Sequence, residues 1–220
     1  MTETKTAATP FRTVNRFRQR RGQLLRGKIE TLASAKGGPV SILDIGGVRE
    51  YWDNVGLDSV ARIVLLNNDA AALGATREAG AADIFETAVG DARDLSGYSD
   101  GAFDLAHSNS VIEHVGPWQD MTAMAREVMR VGRSGWIQTP AWEFPIEPHF
   151  RAPFLHWFGQ PLRRRMLFFS RFYRHKSVAE RRWQIDRINL LSRVEMTELF
   201  PGCEIYTERF LLPKSYVAQW

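Results

Sequence analysis

A run of apolar residues that ends in two glycines limits the possible folds of this chain more than any other feature. Residues 40–45 are mostly aliphatic, with Asp44 near the end of the run. Such a run is typical of a strand buried on both faces of a parallel sheet. Gly46 and Gly47 follow, and glycine lets the backbone turn sharply and approach a ligand closely. The pattern predicts an α/β sheet and, after its first strand, either a ligand-binding turn or an ordinary one.

Strand and helix patterns then alternate along the chain. Further strands are predicted at residues 62–69, 84–89, 103–108 and 136–139, with helices at 69–82 and from Pro117. Alternation of this kind predicts a mostly parallel sheet with helices on both faces. A capping box at Ser192 and Glu195 predicts a late helix. Residues 204–218 predict a C-terminal hairpin, which adds an antiparallel strand to the sheet.

The chain is long enough for one α/β domain, and its charge is distributed unevenly. Hydrophobic residues make up 44% of its 220 residues, an ordinary proportion for a globular protein. We expect a disordered tail at residues 1–10 and a single domain at 11–220. That domain includes a basic helical segment at 11–38 and an aromatic, basic, lid-like insert at 141–187. Basic blocks favour an anionic partner, such as a nucleic acid or a membrane surface, but they equally fit solvated helix faces.

Several features limit the cofactors and the location. Cys203 is the only cysteine, so an intramolecular disulfide is impossible and a reducing compartment fits. The five histidines are scattered, and we expect no metal site.

Residues 1–10 lack an apolar signal core, and no run of 18 apolar residues exists. We therefore expect a cytoplasmic protein, with the basic helix after Pro161 either packed on the domain or lying on an anionic membrane.

Polar or glycine clusters follow four of the predicted strands. They are Asp44/Gly46/Gly47, Asn67/Asn68/Asp69, Gly90/Asp91/Arg93/Asp94 and Ser108/Asn109/Ser110. Because the carboxyl ends of parallel strands lie at one edge of a sheet, these clusters are expected to converge on one crevice. Turns without a ligand would place such residues equally at the opposite edge. The pattern therefore indicates a binding site.

The motifs at residues 42–47, 89–95 and 103–115 resemble the successive motifs of class I S-adenosylmethionine-dependent methyltransferases. The closest resemblance is to the small-molecule branch, similar to methyltransferase type 11, and it covers residues 40–140 and the terminal hairpin. It implies a Rossmann-like methyltransferase fold and S-adenosylmethionine as cofactor. It also implies methyl transfer to a small-molecule, sugar or lipid-linked acceptor.

The resemblance also implies cofactor-binding roles for nine residues. Asp44, Gly46 and Gly47 would line the methionine end, Asn67 and Asn68 the ribose, Asp91 and Ala92 the adenine, and Ser108 and Asn109 the sulfonium. Two departures from the family pattern are present. Val48 and Glu50 replace glycines, and Asn67 replaces an acidic residue. Glu50 is an alternative ligand for the cofactor's ammonium group, and a non-catalytic binding module is an alternative function.

His114 is the candidate catalytic base, because it follows the fourth strand where the acceptor should enter and because imidazole accepts protons near neutral pH. This role favours an oxygen acceptor. Capping of the next helix, or a hydrogen bond within the loop, is the structural alternative. Trp142, His149 and Trp157 are candidate substrate-binding residues in the insert, where the alternative is a small accessory core.

Two other ligand classes fit the sequence less well. The basic blocks favour nucleic-acid methylation, but the chain lacks an Asn-Pro-Pro-Tyr type sequence after the fourth strand. A dinucleotide site is disfavoured because the Gly-x-Gly-x-x-Gly fingerprint is absent.

Overall fold

The computed structural model describes residues 16–70, 84–147, 152–169 and 173–220. Their strands are β1 Val40–Ile45, β2 Val60–Asn67, β3 Phe85–Val89, β4 Leu105–Asn109, β5 Gly135–Pro140, β6 Ile146–Glu147, β7 Ala152–Pro153, β8 Glu204–Phe210 and β9 Leu212–Gln219. Their α-helices are α1 Arg16–Lys36, α2 Arg49–Trp52, α3 Trp118–Val131, α4 Gln160–Phe169, α5 Val178–Asp186 and α6 Arg193–Leu199. The predicted tail at 1–10 and most of the predicted helix at 69–82 lie outside the described residues.

Seven strands form one sheet in the order β3-β2-β1-β4-β5-β9-β8. β1 to β5 are parallel, whereas β9 runs antiparallel to both β5 and β8. β1 lies at the centre of the parallel part of the sheet. From β1 the chain adds β2 and β3 on one side, and it then crosses over to add β4 and β5 on the other side. The predicted fold class is therefore confirmed, including the antiparallel C-terminal hairpin.

Both faces of the sheet are covered, which explains why β1 shows no polar alternation. On one face Ile42 belongs to the same apolar cluster as Leu25 and Ile29 of α1. On the other face Leu43 belongs to a cluster that includes Met121 of α3 and residues of α6. A strand covered on both sides must be apolar at successive positions.

The segment between β5 and α6 forms a small unit with its own core. Among the residues that the structure describes there, five buried side chains build this core, namely Leu155, Leu167, Tyr173, Ile185 and Ile188. The predicted capping box at Ser192 and Glu195 is present at the start of α6. A second capping box, Ser177 with Glu180, begins α5, and it was not predicted from the sequence.

Candidate active site

The turn after β1 brings backbone, rather than side chain, to the edge of the sheet. Gly46 has φ 66°, in the left-handed region that glycine adopts readily. Its N–H donates to the Leu66 carbonyl over 2.7 Å, which holds the turn against β2. A Cβ at Gly46 would lie 2.5 Å from Cγ2 of Val111. Only glycine therefore fits between the end of β1 and the loop after β4.

A cavity of about 330 Å³ opens at the carboxyl ends of the parallel strands, and we call it the strand-end cavity. Its lining includes six residues singled out from the sequence, namely Gly46, Asn67, Asn68, Asp91, Ala92 and His114. The volume falls within the range of small-molecule sites, which is roughly 300–1,000 Å³. Three of the four predicted clusters thus converge on one cavity, and the fourth reaches it through Ser110.

Arg93 holds Asp91 in place at the edge of this cavity. The guanidinium donates to both carboxylate oxygens of Asp91, at 3.0 Å each from Nε, and to Asp120 of α3 at 2.8 Å. The hydrogen bonds from Arg93 keep the pKa of the Asp91 carboxyl below its ordinary value. Asp91 therefore remains an anion that can accept a hydrogen bond at this position.

His114 lies in a 3₁₀ turn, Ile112–His114, directly after β4. Its side chain is 25% exposed, and its Nε2 lies 4.0 Å from Oε1 of the buried Glu113. Oε2 of Glu113 accepts a hydrogen bond from Thr139 on β5 over 2.9 Å. The imidazole thus lies beside a carboxylate that Thr139 holds, and His114 lines the cavity, an arrangement that suits a proton acceptor.

Asp44 does not line the strand-end cavity. Its buried carboxylate accepts hydrogen bonds from Trp52 Nε1 at 2.7 Å and from His107 Nδ1 at 2.6 Å. The carboxylate lies beside Gly47, where any Cβ would collide with it. Asp44 therefore contributes from beneath the glycine turn by joining β1 to β4 and α2.

His107 is a site-supporting residue that the sequence interpretation missed. It is fully buried on β4, and its Nε2 lies 3.3 Å from the hydroxyl of Tyr51. In the neutral imidazole, donation from Nδ1 to Asp44 leaves Nε2 to accept from Tyr51. Burial raises the pKa of Tyr51 above its ordinary value, so the hydroxyl stays protonated. The available signal was a histidine within an apolar strand, since a buried imidazole needs polar partners.

Asn109 lines a different space from its neighbour Ser110. Its side-chain oxygen accepts from Arg21 of α1 over 3.1 Å. It lines a pocket of about 60 Å³, the α1 pocket, together with Arg18, Arg21 and Glu50. Ser108, one residue earlier, is buried within β4 and lines none of the cavities described for this structure. Glu50 is exposed and does not line the strand-end cavity.

A third space of about 260 Å³, the insert cavity, lies beneath the insert. Its polar and aromatic lining includes Trp118, Trp142, His156, Arg163, Asn189 and Glu195. Trp157 packs on Trp142 with ring centroids 6.2 Å apart, but it does not belong to the lining. His149 lies outside the described residues.

One segment separates the strand-end cavity from the insert cavity. Arg187 lines the first, whereas Ile188 and Asn189 line the second. Asn189 donates from its backbone to the Glu113 carbonyl at 2.9 Å and from its side chain to the Gly116 carbonyl at 3.0 Å. The loop that carries His114 is therefore tied to the insert, and the two cavities share this wall.

Neither a metal site nor a membrane span is found in the part of the chain that the structure describes. No three histidine, cysteine or acidic side chains there are grouped to bind a metal ion. No described helix combines the length and the apolar character that crossing a bilayer requires.

Comparison with known proteins agrees with this geometry. Residues 43–137 match a family described as a methyltransferase domain. WbdD has the same fold, with a TM-score of 0.56 at 16% identity over 94% of this chain and 42% of that chain. NodS from Bradyrhizobium japonicum WM9, in complex with S-adenosyl-L-homocysteine, gives 0.56 at 13% identity over 96% and 90%. No curated protein sequence matches.

The strand order, the cavity at the strand ends and the match over residues 43–137 define one class of domain. Residues 43–137 thus match a methyltransferase domain, and the sheet has the fold of class I methyltransferases. The match supports S-adenosylmethionine as the cofactor. This chain spans less than half of WbdD but nearly all of NodS.

Proposed function

We propose that the protein transfers a methyl group from S-adenosylmethionine to a small-molecule, sugar or lipid-linked acceptor, with oxygen favoured as the accepting atom. The observation that carries the proposal is the wall shared by the strand-end cavity and the insert cavity. The cofactor would occupy the first cavity and the acceptor would enter from the second. His114 lies on the loop between them.

The strand-end cavity fits the adenosyl part of the cofactor. The Asn67 side-chain oxygen accepts from the Asp69 N–H at 3.2 Å, so its NH₂ group can donate to a ribose hydroxyl. Asp91 would accept from the adenine amino group, and the backbone N–H of Ala92 would donate to the ring. The turn at Gly46 has no side chain, since a Cβ there would clash with Val111. Its bare backbone would leave room for the part of the cofactor that joins the ribose to the sulfur.

The α1 pocket fits the amino-acid end of the cofactor. Arg18 and Arg21 present two guanidinium groups to this pocket, and Glu50 presents a carboxylate. These charges complement a carboxylate and an ammonium group, respectively. Asn109, at the end of β4, would help to position Arg21 in this pocket, because its side-chain oxygen accepts a hydrogen bond from Arg21. Asp44 and Gly47 would then act by shaping the turn.

Bound S-adenosylmethionine supplies an electrophilic methyl group on a sulfonium. The acceptor oxygen would form its bond to that carbon as the carbon–sulfur bond breaks, and the demethylated cofactor would leave. Alignment of the reacting atoms supplies much of the acceleration. His114 would take the proton from the acceptor hydroxyl and pass it to solvent through its exposed edge, a role worth about 10²–10⁴-fold.

The insert cavity supports a ring-shaped acceptor that bears hydroxyl groups. Trp118 and Trp142 offer flat apolar walls, and Arg163 and Glu195 offer opposite charges within the same cavity. Aromatic walls with a few polar groups are typical of sugar and small-molecule sites. Trp157 would support Trp142, because its Nε1 donates to the Trp142 carbonyl over 3.0 Å. His149 stays a predicted acceptor contact.

The test has two stages. Calorimetry with S-adenosylmethionine and S-adenosyl-L-homocysteine measures cofactor binding, and we expect both to bind. Transfer of a labelled methyl group is then assayed against hydroxylated small molecules, sugars, lipid-linked sugars, and RNA and DNA. Binding without transfer to any acceptor would support a non-catalytic module instead. Transfer to nucleic acid with steep salt dependence would replace the proposed acceptor class.

A further inference from the structure

The insert exposes a cluster of large apolar side chains that its own core leaves uncovered. We call it the aromatic patch, and it consists of Trp142, Ile146, Phe154, Trp157, Phe158 and Leu162. Each of these side chains is between 39% and 53% exposed. Ring contacts join three of them, Trp142, Trp157 and Phe154. Single exposed apolar residues are normal on a protein surface, but joined ones mark an interaction surface.

Hydrogen bonds and ring contacts hold the patch in a defined shape. The Phe154 ring packs on Trp157 with centroids 5.0 Å apart. Phe154 also adopts φ 61°, a left-handed conformation that is unfavourable for a phenylalanine. Its N–H donates to the Pro145 carbonyl over 2.6 Å, next to the β6–β7 pairing. The insert thus fixes an aromatic ring at its surface at a cost in backbone energy.

The net positive charge of the protein comes from the same segment. Residues 141–187 contain ten arginines and lysines and four acidic residues, whereas the rest of the chain contains 19 basic and 21 acidic residues. Three arginines, Arg163, Arg164 and Arg165, follow Leu162 directly on α4. Arg165 is exposed, whereas Arg164 is paired with Asp186 at 3.2 Å. Apolar rings and positive charge are therefore adjacent.

We propose that the aromatic patch and the arginines of α4 dock the protein on an anionic lipid surface. Tryptophan and phenylalanine are favourable at the headgroup level of a bilayer, and arginine binds lipid phosphates there. The insert cavity, which Trp142 and Arg163 line, would then open close to the bilayer. This docking does not depend on the proposed methyl transfer, because lipid binding is measured without turnover.

Vesicle flotation at low salt tests the docking directly. The full chain is mixed with vesicles of phosphatidylcholine alone or with about one third phosphatidylglycerol, and the bound fraction is measured. We expect binding to the anionic vesicles only. We also expect that binding falls as salt is raised, because the surface potential is screened. Failure to bind the anionic vesicles, or equal binding to both kinds, would overturn the proposal.

Two matched double variants locate the contact. Ile146→Thr with Phe154→Asn removes apolar surface from the patch while keeping a β-branched strand residue and a residue that tolerates positive φ. Leu212→Thr with Leu211→Asn makes the same change in the β8–β9 turn, where Leu211 has φ 60° and is 93% exposed. We expect the patch variant to weaken vesicle binding about tenfold or more, and the turn variant to bind normally.

Thermal unfolding of both double variants checks that the insert remains folded. Leu162→Gln on α4 provides a third variant that keeps a helix-forming residue, and it should weaken binding severalfold. A larger loss in the turn variant than in the patch variant would place the contact elsewhere and refute the proposal.

Discussion

The strand-end cavity and the insert cavity share a wall, yet they are built in different ways. Residues that directly follow parallel strands line the first, with glycine backbone and short polar side chains. Bulky side chains from α3, the insert, α4 and α6 line the second. One cavity follows from local turns, whereas the other depends on how separate elements pack. Under the proposed assignment of the two cavities, cofactor binding would depend mainly on local sequence and acceptor binding on tertiary packing.

His114 lies at the boundary between the two cavities, and its replacement should have the largest effect. In His114→Ala we expect kcat to fall about 10²–10⁴-fold because the proton acceptor is lost. Affinity for S-adenosyl-L-homocysteine should stay unchanged. The measurements are methyl-transfer kinetics with the acceptor found in the panel, and calorimetry. His175→Ala, at an exposed histidine outside both cavities, is the control, and near-normal turnover in His114→Ala would exclude an essential base.

Gly46→Ala tests the strand-end cavity separately from the insert cavity. The new methyl group would press on Val111 within the strand-end cavity. We expect affinity for S-adenosyl-L-homocysteine to fall about a hundredfold, as about 2–3 kcal/mol of overpacking implies. Gly37→Ala is a matched control, because Gly37 also has positive φ but has open space around it. If both variants lost affinity equally, backbone strain alone would explain the result.

Trp142→Ala should have the opposite effect to Gly46→Ala, weakening acceptor binding while leaving cofactor binding intact. The substitution removes one wall of the insert cavity but retains the backbone carbonyl that accepts from His156 and Trp157. We expect KM for the acceptor to rise about tenfold through lost apolar contact, with cofactor affinity preserved. Phe210→Ala, at an exposed ring on β8, controls for general loss of aromatic surface. A change in cofactor affinity alone would contradict the assignment of the two cavities.

Arg93→Met should have the smallest effect, and it tests the edge of the strand-end cavity. Because Arg93 lowers the pKa of Asp91, that carboxylate now stays ionised until the pH falls through the lowered value. In the variant the pKa of Asp91 should rise toward its ordinary value. As the pH falls, Asp91 should therefore become protonated at a higher pH than in the wild-type protein. We expect cofactor affinity to fall about three- to fivefold, in line with an exposed ion pair worth less than about 1 kcal/mol.

NMR titration of the Asp91 carboxyl and calorimetry at several pH values measure these two changes. Arg62→Met removes an exposed ion pair with Glu86 away from the cavity and is the matched control. An unchanged Asp91 pKa in Arg93→Met would show that Arg93 does not hold this carboxylate in solution.

Much of the strand-end cavity could be predicted because its signals are local. The apolar run before Gly46 identified the central strand, and short polar segments identified the neighbouring strand ends. The capping box at Ser192 marked the start of α6. Asp44 was identified from the same pattern, but its partners could not be, since Trp52 and His107 reach it from two other elements.

In the insert, local sequence patterns could not predict which side chains are buried. Its aromatic and basic composition marked it as a separate segment, and Trp142 does line a cavity there. Yet the accessory core uses Leu155, Leu167 and Ile185 rather than the tryptophans. The sequence could not distinguish which apolar residues are buried, because proline breaks interrupt the periodicity that would assign each residue to a face.

The sequence by itself determined the α/β fold, the mostly parallel sheet and the edge at which polar residues that follow the parallel strands line one cavity. Hydrophobic periodicity and glycine turns are local properties, and chain connectivity then requires parallel strand ends to meet. Only the tertiary structure decided that Asp44 is buried against His107, that Asn109 is held by Arg21, and that the aromatic patch is exposed. Those outcomes depend on contacts between residues far apart in the chain, which no local pattern encodes.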